Sequence, residues 1–345
     1  MGKILLVNFA ECPENLHFEQ AFIRALRRRG GAGLDILHDF DFPYSFIGKL
    51  PVPGGRRIKY SGMQTLAGEL SKAYSRLVIL DFPKRKRCAL PFIKLVRELK
   101  AGKKFFIANH LIPMSGQNFT TDAARRFKLF SSFNGASILE ADDAGLWRGL
   151  GFDELNLFKR NYAVDCDYYR PQQTQPGKYI FSAGSAGRDF PALAAAARKS
   201  GLPVKIFSDA KITLPEKFKG ICEVFLLAKN LHNLKAALVG AKLVALPIED
   251  GHTNESAGNS IIFIAMACGR PVITRRTPYM ERYIKEGVNG VLYDRLSSSG
   301  LEAGIKKIAA LTPAGLKRLG LAARRTVLQK ASLDNFCSSF IKKLI

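Results

Sequence analysis

The chain has 345 residues, 47% hydrophobic and 10% aromatic, which suits two folded domains and excludes a disordered polymer. No apolar run reaches the roughly 18 to 20 residues that span a bilayer, and the leading MGKILLV is too short for a secretory segment, so a cytoplasmic protein is expected. Fifty-three Lys and Arg against 29 Asp and Glu leave a formal charge of +24, which attracts nucleic acid, anionic lipid or a phosphorylated substrate without choosing among them.

In chain order, Lys3 to Phe9 (KILLVNF) reads as a buried strand, followed by a helix from about Phe18 to Arg29 that stops at Gly30-Gly31. Arg76 to Leu80 and Lys104 to Ala108 (KFFIA) read as further strands, with a basic helical segment, Pro91 to Lys100, between them. Short strands alternating with helices predict a parallel sheet covered on both faces. The segment NYAVDCDYYRP, Asn161 to Pro171, and the loose QQTQPGK after it read as a linker.

The alternation then restarts. Lys178 to Ser182, Pro203 to Phe207 and Lys242 to Leu246 are predicted strands, and Asp189 to Ser200 and Leu231 to Val239 predicted helices. The expected fold class is α/β, with two Rossmann-like doubly wound parallel-sheet domains facing a central cleft. Ligands of such sheets bind beyond the carboxyl ends of the strands. The expected divisions are 1–165, 172–330, and a C-terminal helix, 331–345, that packs back on the first domain. Six cysteines without a CxxC pair predict reduced thiols, with neither a disulfide framework nor a thiolate metal site.

The stretch NESAGNSIIFIAMACGRPVIT, Asn254 to Thr274, carries the clearest chemistry. Gly258, Asn259 and Ser260 stand where a loop enters a buried helix, so several amides there lack intrahelical partners. With the helix dipole they form a ready phosphate cradle, and Gly258 lets the chain approach a ligand closely. An ordinary capped core helix produces the same pattern.

AMACGRPVIT followed by ERYIKEGVNGVLYD, Ala265 to Thr274 and Glu281 to Asp294, resembles the donor-binding domain of GT-B glycosyltransferases, most closely the retaining family four. NYAVDCDYYRP resembles that family's linker, with Ala163 in place of a glycine, and FSAGSAGRDFPAL, Phe181 to Leu193, resembles the first strand and loop of the donor domain. The resemblance covers roughly residues 160 to 295 well and the first half by topology alone; three ordered motifs are far more specific than one. It implies a glycosyltransferase that moves a sugar from a nucleoside-diphosphate sugar, with retention, to a cell-envelope glycan, glycolipid or lipid-linked acceptor.

By the same resemblance, Arg188 neutralises the diphosphate leaving group, and Gly184, Ser185, Asn254, Gly258, Asn259 and Ser260 hold the donor. The loop Glu249 to Glu255 faces the donor sugar, and His110 stands close to the sugar; either Glu255 takes a sugar-binding role, or backbone and other side chains hold the ribose. A histidine at a strand end is equally well read as a structural hydrogen-bonder. Departures from the pattern are specific. Ile264 replaces the glutamate that holds the ribose, Ser256 stands at the second acid with Glu255 one place off, and Ser185 stands where an arginine is common.

No cofactor and no metal are expected, since cations and helix amides can carry a leaving diphosphate. Asp39-Phe40-Asp41 spells DxD but lies far from the donor motifs, and His17, His38, His232 and His252 lack zinc spacing. The cationic stretch between Lys84 and Lys104 interleaves Phe92, Ile93, Leu95, Val96 and Leu99 at helical spacing. That pattern suits either an anionic membrane surface or a helix packed on its own sheet, so a peripheral place on the inner membrane face is compatible with it. Basic runs without interleaved stacking aromatics do not predict a nucleic-acid partner. The alternatives are a nucleotide-sugar epimerase of the same fold and a non-enzymatic polyanion binder.

Overall fold

A computed structural model describes residues 2–8, 13–30, 33–38, 55–60, 62–70, 72, 74–81, 102–108, 131, 133–139, 144–149, 151–172, 177–249, 258–294 and 298–344. His110, Asn254, Glu255, the loop 250–255, Asp39, Asp41, His252 and the segment from Lys84 through Lys100 lie outside the described residues. The chain divides into two compact units, one of Met1–Asn161 with Leu333–Ile345 and one of Tyr162–Ser332. The first boundary thus falls four residues before the expected 165, because Val164 already pairs with the second unit through Ala331 and Ser332.

The first unit is built on a seven-stranded sheet: β1 (Ile4–Asn8), β2 (Leu34–His38), β3 (Arg56–Lys59), β4 (Arg76–Leu80), β5 (Lys103–Ile107), β6 (Gly135–Leu139) and β7 (Leu157–Arg160). Their order is β3-β2-β1-β4-β5-β6-β7, and every neighbouring pair is parallel. Helix α1 (Pro13–Arg27) begins five residues before the expected start. Asn15, His17 and Glu19 break its apolar pattern on paper yet are buried, with Glu19 accepting from Asn8 Nδ2 at 2.9 Å and facing Arg57 at 3.4 Å. Helix α2 (Met63–Leu70) lies between β3 and β4, and α3 (Ala144–Gly149) between β6 and β7. The C-terminal helix, Leu333–Leu344, packs on α1: Asp334 takes a forked pair of bonds from Arg24 at 2.7 and 3.0 Å, and Phe336 meets Phe18.

Polar burial also hid β2 from the sequence reading, because Asp35 interrupts its apolar run. Asp35 is buried with Lys3 Nζ at 2.9 Å, Arg56 Nη2 at 2.7 Å and the Tyr74 hydroxyl at 2.6 Å. Burial pushes its pKa up, but the bonds from Arg56, Tyr74 and Lys3 outweigh that and leave it at about 2. A carboxylate depressed in the fold stabilises above its unfolded pKa and ceases to do so as pH falls through the folded one. Asp35→Asn should therefore cost roughly 2 kcal/mol at neutral pH. The gap between variant and wild type should close from about pH 4 toward pH 2. Denaturant melts at those pH values test this, and a pH-independent gap would refute it.

The second unit carries β8 (Ile180–Ala183), β9 (Val204–Ser208), β10 (Cys222–Leu226), β11 (Leu243–Ala245), β12 (Val272–Arg275) and β13 (Val291–Tyr293) in the order β10-β9-β8-β11-β12-β13, all parallel. Helices cover both faces. Helices α4 (Phe190–Ser200) and α8 (Ser298–Ala309) bury Leu193, Ala197, Leu301 and Ile305 on one face. On the other, α5 (Leu227–Gly240), α6 (Asn259–Ala267) and α9 (Pro313–Lys330) bury Leu238, Phe263, Met266 and Ala323.

The caps are local and legible. Asp189 accepts from Ala192 N at the start of α4, Thr277 from Met280 N at the short α7 (Pro278–Glu281), and Thr312 from Gly315 N at α9, each with a proline in the first turn. Helix α5 starts four residues before the expected Leu231, because a first turn is joined across a kink at Asn230. The C-terminal helix Leu333–Leu344 is α10.

Both sheets are doubly wound. Chain order reverses at β1/β4 in the first and at β8/β11 in the second, so each has one switch point. The four described cysteines, Cys166, Cys222, Cys268 and Cys337, are free thiols. Among the described residues no helix is long and apolar enough to cross a membrane.

Candidate active site at the second switch point

The residues that follow β8 and β11 converge at their carboxyl ends. Beyond β8 the chain turns through Gly184 (φ 115) and Gly187 (φ 61), conformations open to glycine. Arg188 then forms an isolated antiparallel bridge with Ile248, flanked by Asp189 N to Pro247 O at 2.9 Å and Glu249 N to Gly187 O at 3.1 Å. The loop after the first strand is thereby stitched to the segment after the fourth.

The Arg188 guanidinium lies between two glycines. A Cβ on Gly184 would fall 2.9 Å from Nη2, and one on Gly258 would fall 2.8 Å from Nη2 and 2.6 Å from Leu246 Cδ1. Nη1 donates to Ala186 O at 2.6 Å, while the buried Nε has no hydrogen-bond partner. Burial pulls its pKa down to about 10, against the opposing influence of Tyr293 and Glu249, so it stays charged at neutral pH. No acidic side chain pairs with it among the described residues. A desolvated cation bonded to no described carboxylate is suited to receive an anion.

Gly258, at φ 85, opens α6, and among the described residues no side chain caps that helix. Asn259 follows, buried, with no partner for its Oδ1 among the described residues, and then the half-buried Ser260. The helix N-terminus and its free dipole end thus stand beside Arg188. Ser185 points elsewhere in role: its Oγ accepts from Asp209 N at 2.9 Å and lies 3.3 Å from Ser208 Oγ, tying the β8 loop to the β9 loop. Ile264 is 5% exposed within the apolar core of α6, so it offers a ribose no polar contact.

Of the expected donor residues, the fold brings Gly184, Arg188, Gly258, Asn259 and Ser260 to one switch point. Two residues went unnoticed in the sequence. Tyr293 donates to Leu246 O and accepts from Ile248 N, both at 2.7 Å, holding the segment that bridges to Arg188. Arg275 donates from Nη1 to Glu249 O at 2.9 Å. A lone tyrosine and a second arginine at strand ends carry no motif, and only the parallel register places them here.

No family model matches the chain, and no curated protein sequence matches it. Solved structures do. Alr3699/HepE of Anabaena, in complex with UDP and glucose, superposes with a TM-score of 0.64 at 11% identity, over 100% of this chain and 99% of that one. Sucrose-phosphate synthase of Thermosynechococcus elongatus gives 0.63 at 13% identity, over 100% and 99%. The lipopolysaccharide outer core galactosyltransferase WaaB in its apo form gives 0.54 at 10%, over 99% of each chain. The chain has the GT-B fold, and the fold is what these similarities establish.

Proposed function

We propose that this chain is a glycosyltransferase that takes its sugar from a nucleoside-diphosphate sugar. The observation that carries the reading is the half-buried Arg188 guanidinium, without an acidic partner among the described residues, and set between Gly184 and the start of α6, which no described side chain caps. That arrangement suits the diphosphate of a leaving nucleotide, which needs a fixed cation and aligned amides as the glycosidic bond breaks. Likeness of fold to Alr3699/HepE in complex with UDP and glucose and to the galactosyltransferase WaaB supports the same reading.

Within it, the acceptor is a glycan, glycolipid or lipid-linked intermediate that attacks from the face the diphosphate leaves, with retention. Neither a metal nor an organic cofactor takes part. Catalysis is then positioning and charge stabilisation. The cationic stretch from Lys84 to Lys104 draws the protein to the anionic membrane surface where such acceptors reside. The test is thermal denaturation with UDP, GDP, ADP, CMP and their sugars. Saturation by the right donor at about 100 times its Kd adds roughly 2.7 kcal/mol and raises the midpoint by several degrees. A midpoint unmoved by every nucleotide would overturn the reading.

A further inference from the structure

The strand β12 ends in a second arginine of unusual standing. Arg275 has its Nη1 on Glu249 O at 2.9 Å, its Nε buried without a hydrogen-bond partner, and no acidic partner among the described residues. Its neighbour Arg276 is the opposite case, bonded to Asp294 at 2.5 Å and Glu281 at 2.9 Å. The contrast within one dipeptide separates a surface ion pair from a cation left open.

Arg188 and Arg275 also share a spine. In the sheet β11 lies between β8 and β12, so the segment 246–249 that continues β11 is flanked by the residues following β8 and ending β12. Arg188 bridges to Ile248, Gly187 O accepts from Glu249 N, and Arg275 donates to Glu249 O. Gly258, the start of α6, stands against Leu246 and Ile248 of the same segment. Two guanidiniums held by backbone carbonyls on either side of one loop, neither bonded to a carboxylate among the described residues, offer two cations to one multiply charged anion. A nucleoside diphosphate carries such charge on two adjacent phosphates, and a planar fork of donors suits each.

We propose that Arg275 is a second phosphate-binding residue of the donor site, contacting the diphosphate from the β12 side while Arg188 holds it from the β8 side. The inference rests on the glycosyltransferase reading and adds a residue to it. The test is calorimetric titration with UDP, with inorganic pyrophosphate as a base-free probe and uridine as a phosphate-free one. Arg275→Gln should weaken UDP and pyrophosphate about 10- to 100-fold, the range of a charged hydrogen bond. It should flatten the salt dependence and leave uridine unchanged. Arg275→Lys should recover part of the loss, and Arg276→Gln should match wild type. Unchanged UDP affinity in Arg275→Gln, or equal loss for UDP and uridine, would overturn the inference alone. Failure of wild type to bind pyrophosphate, UDP, GDP or ADP would overturn the glycosyltransferase reading with it.

Discussion

Arg188→Ala is expected to lower kcat/KM for sugar transfer by about 100- to 1,000-fold, the cost of removing one fixed donor from a developing charge, or roughly 3 to 4 kcal/mol. The leaving diphosphate gains charge as the sugar departs, so the guanidinium does more for the transition state than for the bound donor. Accordingly kcat should fall further than KM rises. Truncation strands no described carboxylate, because none pairs with Arg188, and it removes a cation that burial already disfavours. Thermal stability should therefore hold or rise slightly, which separates lost chemistry from lost fold. Arg188→Lys should restore charge but not the fork seated between Gly184 and Gly258, and so recover only part of the rate. Near-normal turnover in Arg188→Ala, measured with the donor that shifts the melting midpoint most, would refute the assignment of this site.

Gly320→Ala should be the most destabilising single methyl in the second unit. Gly320 lies on α9 directly against the turn that ends α6, where Gly269 adopts φ 67. A Cβ there would land well inside contact distance of the Gly269 carbonyl oxygen and 2.8 Å from its carbon. Backbone cannot yield as a flexible side chain does, so the helices must separate, at a cost of about 3 kcal/mol or more. The same contact matters to the site. Arg324, one turn further along α9, donates to the carbonyls of Ala267, Tyr169 and Cys166, closing the C-terminal end of α6. A helix anchored at one end presents its other end, Gly258 to Ser260, in a fixed place. The variant should lose denaturant midpoint and nucleotide affinity together, and a wild-type midpoint would show that α9 is not the clamp.

What was legible in the sequence followed from local rules. The β-branched and apolar runs of β1, β4, β8 and β9 announce buried parallel strands, and Asp189, Pro191 and Gly201 mark both ends of α4. Ordered motifs in the second half pointed to Gly184, Arg188 and Gly258 before any geometry was known. Buried charge was not legible: β2, interrupted by Asp35, was missed, and the start of α1 was placed late, because the partners of Asp35 and Glu19, Arg56 and Arg57, lie far along the chain.

The sequence by itself determined the two α/β halves and the caps and turns, and it singled out Gly184, Arg188 and Gly258 as candidates, since each of these depends on neighbours within a few residues. Only the tertiary structure decided that Ile264 belongs to the core, that Ser185 ties two loops together, and that Tyr293 and Arg275 close on the segment 246–249. Those roles depend on which strands lie side by side. The parallel order β8-β11-β12-β13 sets that adjacency through crossovers that no short stretch of sequence encodes.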